Sequence, residues 1–367
     1  MATPSYRYLT TDALTNKVLA RDLPLTGVEF GPALSATGYL SGAVEPRLAH
    51  LVRSQLAPGN TKIYVERDGR LLWGGLVWRA DPEGQQLNVE AAGWGSYPYR
   101  RYDLHGQLGG RGPYTYADPC EVIRDVWAYC QEQPDGQLGI QLDTTTSKAT
   151  VGTPADPYRV DWWDTPSLGG VVEDMAAVAG GPEWTEEVTW ESGAPIGRVR
   201  IGWPRLGRRR TDILFESGVN ISRAVPVEYD ADTAAQVVIA LGAGEGRSRR
   251  RAIDAVRDGR LRLEHLLEVP EEKAIDRLAA RARTERVSRQ VIGEVTEITV
   301  RDHPTARIGS WQIGDDVRVR VHDQWTEFDA WCRVVGWQIR PASGGDAEQA
   351  VIQLQRADRF TYGGGTA

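Results

Sequence analysis

The sequence of 367 residues predicts a mainly β fold with α+β insertions. The first observation is the Asp68-Gly69 pair between two apolar, β-forming segments, which is a strong signal for a tight hairpin. The second is the alternation of apolar with polar or small residues along 34–44 and 317–321, the period of half-buried strands. The third is a pair of helix-capping residues, Asp118 and Ser167, each followed by apolar residues at helical spacing.

Region 1–100 is predicted to consist of strands. Segments 63–65 and 71–73 pair across the Asp68-Gly69 turn, and a second hairpin turns at 81–84. Two glycines, Gly74 and Gly75, mark a place where a strand can bulge. Short strands joined by regular turns are typical of a barrel or a sandwich.

Region 101–206 is predicted to be a mixed α/β module. Asp118 is expected to cap a helix that has Pro119 in its first turn. Ser167 is expected to cap a second helix that ends at the glycine pair 180–181. Segments 183–190 and 197–203 then predict a pair of strands.

Region 207–361 is predicted to be β again. Strands are expected at 213–215, 219–227, 236–241, 291–300, 316–321, 328–340 and 350–355. Pro270 begins an inserted helix at about 271–287. The glycine-rich residues 362–367 are expected to form a frayed tail.

Composition excludes several classes of protein. The net charge of −7 lacks the basic excess of a DNA-binding surface. No segment reaches the ~18 apolar residues of a membrane helix, and the N-terminus lacks the apolar core of a signal peptide. Cys120, Cys130 and Cys332 are too scattered for a disulfide scaffold or a zinc site. We therefore expect synthesis in a reducing cytoplasm and no membrane insertion.

The most enzyme-like string is the glycine-rich segment 242–246, which follows an apolar strand as a phosphate-binding loop would. It lacks Gly-Lys-Ser/Thr, and Arg247 stands where a dinucleotide loop has its third glycine, so we predict a strand connector. The sequence also contains no HExxH motif and no Gly-x-Ser-x-Gly motif. We predict a protein that is not an enzyme and has no catalytic, metal-binding or cofactor-binding residues.

The string Asp161-Trp162-Trp163-Asp164 allows two interpretations. Carboxylates beside aromatic rings occur in clefts that bind or hydrolyse carbohydrates. Alternatively, the two tryptophans anchor a loop against the module while the aspartates face water. The sequence does not decide between these interpretations.

Two arginine runs are the candidate partner-contact sites. They comprise Arg208, Arg209 and Arg210 in the first run and Arg247, Arg249, Arg250 and Arg251 in the second. Such runs contact phosphate, face solvent or pair with carboxylates on a partner. Because no aromatic residues are interleaved with these arginines, binding to single-stranded nucleic acid is disfavoured. We predict contacts with protein partners.

Five strings, in their order and spacing, resemble the minor tail proteins of long-tailed phages that infect actinobacteria. They are Leu9–Leu19, Leu23–Phe30, Tyr64–Gly75, Leu241–Gly246 and Ile313–Val317. That family is similar to the tail-tip hub, also called the baseplate hub or tail-associated protein. The resemblance covers most of the chain and is weakest at 101–205.

The resemblance implies two tail-tube-like β-barrel domains, at 1–100 and 207–361, with the mixed module at 101–206 between them. It implies a homotrimer whose six barrels match a sixfold tail tube, located at the tail tip of the virion after synthesis in the host cytoplasm. The implied partners are the distal tail protein, the tail tube, the tape measure protein and a central fibre or other minor tail proteins. DNA would pass through the ring without specific binding.

A function of another class stays open at this stage. A carbohydrate-active or cell-wall-binding protein would use the tryptophan-rich surfaces of a chain that has 13 tryptophans. A hub is expected to form a threefold ring with large interfaces, whereas a glycan-binding module is expected to stay monomeric with an open aromatic groove.

Overall fold

The computed structural model describes residues 4–45, 47–48, 53–84, 86–164, 166–223, 231–257, 259, 261–270, 272–289, 295–324 and 327–357. The strands are β1 Tyr6–Asp12, β2 Val18–Ala20, β3 Leu25–Ala33, β4 Ala36–Val44, β5 Thr61–Arg67, β6 Arg70–Glu83, β7 Gln86–Ala92, β8 Gln141–Leu142, β9 Glu183–Glu191, β10 Ala194–Gly202, β11 Arg209–Glu216, β12 Val237–Leu241, β13 Arg251–Ala255, β14 Glu264–Glu268, β15 Glu297–Val300, β16 Asp316–His322, β17 Glu327–Arg340 and β18 Gln349–Arg356. The longer helices are α1 Pro119–Glu132, α2 Leu168–Ala177 and α3 Ile275–Ser288. The predicted mainly β fold is confirmed.

The first and last β regions belong to one 12-stranded sheet. Its main path runs β11-β16-β17-β3-β4-β7-β6-β5-β1-β2, and β18 pairs with both β17 and β15. The 14-residue strand β17 joins the two halves. It pairs with β16 and β18 of its own region, and also with β3 through Gly336 opposite Ala33 and Ile339 opposite Phe30.

The expectation of two closed barrels is therefore corrected for the described strands. Their hydrogen-bonded path is open, with β11 at one end and β2 at the other. The physical reason is the length of β17, which lets one strand pair with partners from both regions instead of only with its own. The domain boundaries at 100 and 206 stay a prediction.

Both halves of the large sheet also share one hydrophobic core. Phe30 of β3 is fully buried and packs edge-to-face on Trp337 of β17, with ring centroids 6.0 Å apart. Phe215 of β11 packs in the same way on Trp311, at 5.4 Å. Residues of both β regions therefore pack into one hydrophobic core.

The mixed module packs α1 and α2 with a three-stranded sheet in the order β8-β10-β9. Both predicted helix caps are confirmed, since Asp118 accepts from the Cys120 N–H and Ser167 from the Gly170 N–H. The module's core continues onto the large sheet through Tyr64 and Trp94, whose rings lie 5.7 Å apart. The module is therefore packed against the large sheet.

A separate small unit lies within the last region. Strands β13-β12-β14 form a three-stranded sheet, and α3 covers one of its faces through Leu278 and Ala282. The inserted helix thus packs on its own sheet and not inside a second barrel. Parts of the predicted strands 219–227 and 291–300, and the predicted tail 362–367, lie outside the described residues.

Candidate assembly surfaces

Metal-ligand clusters, cysteine thiols and membrane-spanning helices can be examined directly among the described residues. Among them, no group of three or more His, Cys, Asp or Glu side chains is placed to hold a metal ion. Cys120, Cys130 and Cys332 are buried, and none of the three forms a disulfide. Burial raises the pKa of both the Cys120 and Cys130 thiols to about 12, so neither is a thiolate near neutral pH. No helix in the described ranges has the length and apolarity needed to cross a bilayer.

The glycine-rich segment 242–246 is a hairpin connection. It joins β12 to β13, which pair antiparallel with Leu241 opposite Arg251. The Gly242 N–H donates to the Arg250 carbonyl and the Ala243 N–H to the Glu272 carbonyl, each at 2.8 Å. Because these amide groups are already bonded to carbonyls, they do not form a phosphate cradle. The predicted strand connector is confirmed.

The first arginine run lies at the start of β11, the end strand of the large sheet. Arg208 and Arg209 are exposed, and the Arg209 guanidinium lies 4.9 Å from the ring centroid of Trp331. Arg210 is mostly buried and bonds the Asp212 carboxylate at 2.7 Å and the Ser310 carbonyl at 2.7 Å. Arg208 and Arg209 are therefore accessible to a partner, whereas Arg210 holds the strand in place.

The second arginine run borders the small sheet. Arg247, Arg250 and Arg251 are exposed. Arg249 is half-buried, bonds the Gly242 carbonyl and forms an ion pair of 3.4 Å with Glu268. The two runs belong to different sheets, so they are not one continuous strand-edge site.

The outer face of the small sheet, opposite α3, is apolar at its centre. Ile239 of β12 lies in register between Ile253 of β13 and Leu266 of β14. Ile253 and Leu266 are each about half exposed, at 52% and 51%. We call Ile239, Ile253 and Leu266 the sheet patch. No described element covers this row of side chains.

The tryptophan pair of the mixed module is exposed. Trp162 and Trp163 retain 57% and 60% of their surface, and their rings meet edge-to-face at 5.7 Å. The interpretation that both tryptophans anchor the loop is therefore wrong. Asp161 accepts a 2.5 Å hydrogen bond from the Gln107 side chain, and Asp164 is exposed.

The loop 106–110 lies beside Trp162 and has an unusual backbone conformation. All five residues from Gly106 to Gly110 have positive φ, including Gln107 and Leu108 at 53° each. The left-handed conformation costs a non-glycine residue about 1–2 kcal/mol. The buried Asp103 carboxylate offsets this cost by accepting from three backbone N–H groups, those of His105, Gly106 and Leu108.

An exposed apolar side chain lies two residues before this loop. Leu104 is 74% exposed, and its N–H is fixed by the Tyr129 hydroxyl at 2.9 Å. Gly106 lies against Trp162, where an added Cβ would be 3.5 Å from the ring. We call Leu104, Trp162 and Trp163 the tip surface. Sequence reasoning missed Leu104, because nothing in a sequence distinguishes a leucine that faces water from one in a core.

Two carboxylates on β9, the buried Glu186 and the partly exposed Glu183, fasten the module to the large sheet. Glu186 accepts from the Gly38 N–H at 2.9 Å and from the Gly95 N–H at 2.5 Å. Burial raises its pKa to about 7, although the two N–H groups act against that shift. Glu183 pairs with Arg333 of β17, which is fully buried and also donates to the Leu206 carbonyl.

A cleft of about 400 Å³ opens beside this junction, between β6, β9 and the 309–313 loop. Its carboxylates are already engaged, Glu186 by backbone N–H groups and Glu187 by Arg200 at 2.6 Å. A buried carboxylate with a raised pKa can mark a catalytic site. Here both oxygens of Glu186 serve a structural contact between module and sheet.

The fold and these surfaces define a mainly β protein with exposed apolar patches on modules fixed to a large sheet. No sequence profile of a protein family and no curated protein sequence matches the chain. Solved structures do match it over almost its whole length.

The tail protein from Neisseria meningitidis MC58 superposes with a TM-score of 0.60 at 14% identity, over 96% of this chain and 97% of its own. The 43 kDa tail protein of prophage MuSo2 from Shewanella oneidensis gives 0.61 at 13%, over 97% and 100%. The E. coli c3393 protein, a type VI secretion component described as structurally similar to T4 tail proteins gp27 and gp5, gives 0.50 at 9%, over 98% and 77%. The chain therefore has the fold of phage tail proteins, at low sequence identity.

Proposed function

We propose that this chain is a structural protein of a long-tailed phage and forms the hub ring at the tail tip. The observation that carries the proposal is the extent of the structural match. Two tail proteins align over at least 96% of this chain and 97% of their own lengths. The likeness therefore extends over the whole arrangement of modules, beyond a single common β motif.

In the proposed assembly, three copies form a ring, and each copy contributes its two β regions, 1–100 and 207–361. Six tube-like units then face a sixfold tail tube. The pairing of β3 with β17 and the shared core support this arrangement, because they fix the two regions of one copy relative to each other. A ring that must match a tube benefits from such rigid spacing.

The proposed ring joins the tail tube and the distal tail protein to the central fibre or other minor tail proteins, and lies next to the tape measure protein. DNA passes through its channel during ejection. A chain with net charge −7 suits a channel that must not hold phosphate groups. The exposed arginines then face protein partners and not the channel.

A second candidate function is carbohydrate binding by the tip surface, which the exposed Trp162 and Trp163 favour. Their planes are inclined at 82°, so they do not form one flat platform for consecutive sugar rings. This geometry makes the structural role the better supported one. Binding of the purified protein to cell-wall polysaccharide, lost in a Trp162→Ser, Trp163→Ser variant, would favour the second candidate.

Antibody labelling of phage particles tests the main proposal. Antibodies raised against the purified chain are expected to label one end of the tail, at its tip, in electron micrographs. Labelling confined to the capsid, or no labelling of particles that contain the protein by mass spectrometry, would contradict a tail-tip position. Pre-immune serum is the control.

A further inference from the structure

We propose that the tip surface of one copy binds the sheet patch of the next copy, so that a ring closes through head-to-tail contacts. This inference rests on the proposed function, since it names the surfaces through which that assembly forms. Leu104, Trp162 and Trp163 form the tip surface, and Ile239, Ile253 and Leu266 form the sheet patch. The partner is thus a second copy of this chain.

The tip surface has the properties of a preformed contact. Its loop holds two non-glycine residues, Gln107 and Leu108, in the left-handed conformation, and Asp103 and Tyr129 fix it with hydrogen bonds. Strained backbone held by buried polar groups is concentrated at binding sites and clamps. The result here is to hold Leu104 and the two tryptophans in water, where tryptophan in particular favours interfaces.

The sheet patch has complementary properties. It is an open, apolar β face that α3 leaves uncovered on the opposite side of the sheet. Glu264 pairs with Arg262 at 2.6 Å and Glu268 with Arg249 at 3.4 Å, so those acidic groups are neutralised. The border of the patch carries a net positive charge. It has three exposed arginines, Arg247, Arg250 and Arg251, and one nearby exposed carboxylate, Glu245.

Charge supports the pairing of these two surfaces. Asp161 and Asp164 flank the tryptophans, whereas the sheet patch is bordered by an excess of arginine. Arginine also stacks favourably on exposed indole rings. A like-charged pairing, of either surface with itself, would place equal charges opposite each other.

Symmetry explains why two different patches occur on one chain. A contact between unlike surfaces generates a ring when its rotation closes, and each copy then uses each surface once. In a closed ring every tip surface and every sheet patch is covered. Both patches are exposed in the single chain, as this arrangement requires.

The test compares the masses of matched variants in solution. The tip variant is Trp162→Ser, Trp163→Ser, and the patch variant is Ile253→Thr, Leu266→Thr, in which threonine keeps strand propensity. Each is expected to weaken ring association by about 30-fold or more, the effect of losing an interface hot spot. Tyr116→Ser, which removes another exposed aromatic ring of the same module, is the control and should leave association unchanged.

Mixing the two variants is the decisive step. The patch variant retains its tip surface and the tip variant retains its sheet patch, so one intact contact forms per pair. The mixture is expected to give a species of twice the chain mass and no closed ring. Rings in both variants alone would overturn the surface assignment while leaving the hub function intact.

A crosslink provides a readout that does not depend on weakened association. Trp163→Cys combined with Ile253→Cys is expected to give disulfide-linked oligomers on oxidation, since the three native cysteines are buried. Tyr116→Cys with Ile253→Cys should not. Absence of crosslinks in a ring-forming protein, or loss of glycan binding without loss of ring mass in the tip variant, would overturn the inference. Failure of the hub function itself would appear separately, as absence of the chain from labelled tail tips.

Discussion

Glu186 makes the attachment of the mixed module to the large sheet dependent on pH. Its carboxylate is buried and bonded only to two backbone N–H groups, those of Gly38 and Gly95, among its described hydrogen bonds. Burial raises its pKa from 4.5 to about 7. A carboxyl whose pKa is raised on folding binds its proton more tightly in the folded state than in the unfolded state. Its contribution to stability is therefore full below about pH 4.5 and is lost as the pH rises to 7.

The size of this effect follows from the shift. The pKa of Glu186 rises from 4.5 to about 7, and each pKa unit corresponds to 1.36 kcal/mol. The unfolding free energy should therefore fall by about 3 kcal/mol between pH 4.5 and pH 8. In Glu186→Gln the side chain does not titrate, so this part of the pH dependence should disappear. The unfolding free energy should therefore fall less from pH 5 to pH 8 in Glu186→Gln than in the native chain.

Urea denaturation at pH 5 and pH 8 measures the difference, with the fluorescence of the buried tryptophans as the signal. Glu187→Gln is the matched control, because Glu187 is the next residue, is partly exposed and pairs with Arg200. That control should keep the pH dependence of the native chain. An identical pH dependence in the native chain and in Glu186→Gln would refute the reasoning.

Three further predictions follow from single side chains. Arg333→Met removes the buried cation that pairs with the partly exposed Glu183 and bonds the Leu206 carbonyl, and should lower the unfolding free energy by about 1–3 kcal/mol in urea denaturation, whereas an unchanged free energy would contradict the pairing. Burial lowers the pKa of Lys62 to about 8, so stability should rise as the pH increases from 8 to 10.5, and thermal unfolding of Lys62→Met should not show that rise. Asp118→Ala removes the cap of α1 and should cost about 1 kcal/mol, with Asp156→Ala in an exposed bend as a control that should change little.

Local signals in the sequence predicted local structure well. The Asp68-Gly69 turn has φ values of 49° and 84°, as a tight hairpin requires, and the caps at Asp118 and Ser167 are both present. Strands β9, β10, β16, β17 and β18 lie within one or two residues, or in one case three, of their predicted bounds. These features depend on neighbours in the chain, which a sequence displays directly.

Features set by distant contacts could not be predicted in the same way. The pairing of β3 with β17 joins residues about 300 positions apart, and an edge strand has the same residue pattern as a strand paired on both sides. Glu186 and Arg333 are buried by elements distant in the chain, since Glu186 bonds Gly38 and Gly95 and Arg333 bonds Glu183. The residues next to them in the sequence do not reveal these contacts. The separate small sheet under α3 was missed for the same reason, because its strands look like members of a larger sheet.

The resemblance noted in the sequence and the structural match reach the same fold by independent routes. The resemblance was based on five short strings, and the structural match on a superposition at 14% identity or less. The resemblance also implied closed barrels, which the described strands do not form. The strands of both β regions instead belong to one shared sheet.

The most direct test of the central claim is the mass and symmetry of the purified full-length protein. Mass photometry combined with electron microscopy is expected to show particles of about three times the 40.5 kDa of one chain, with threefold symmetry and an open channel. A particle of one chain mass at all concentrations, with no ring in the images, would contradict the account.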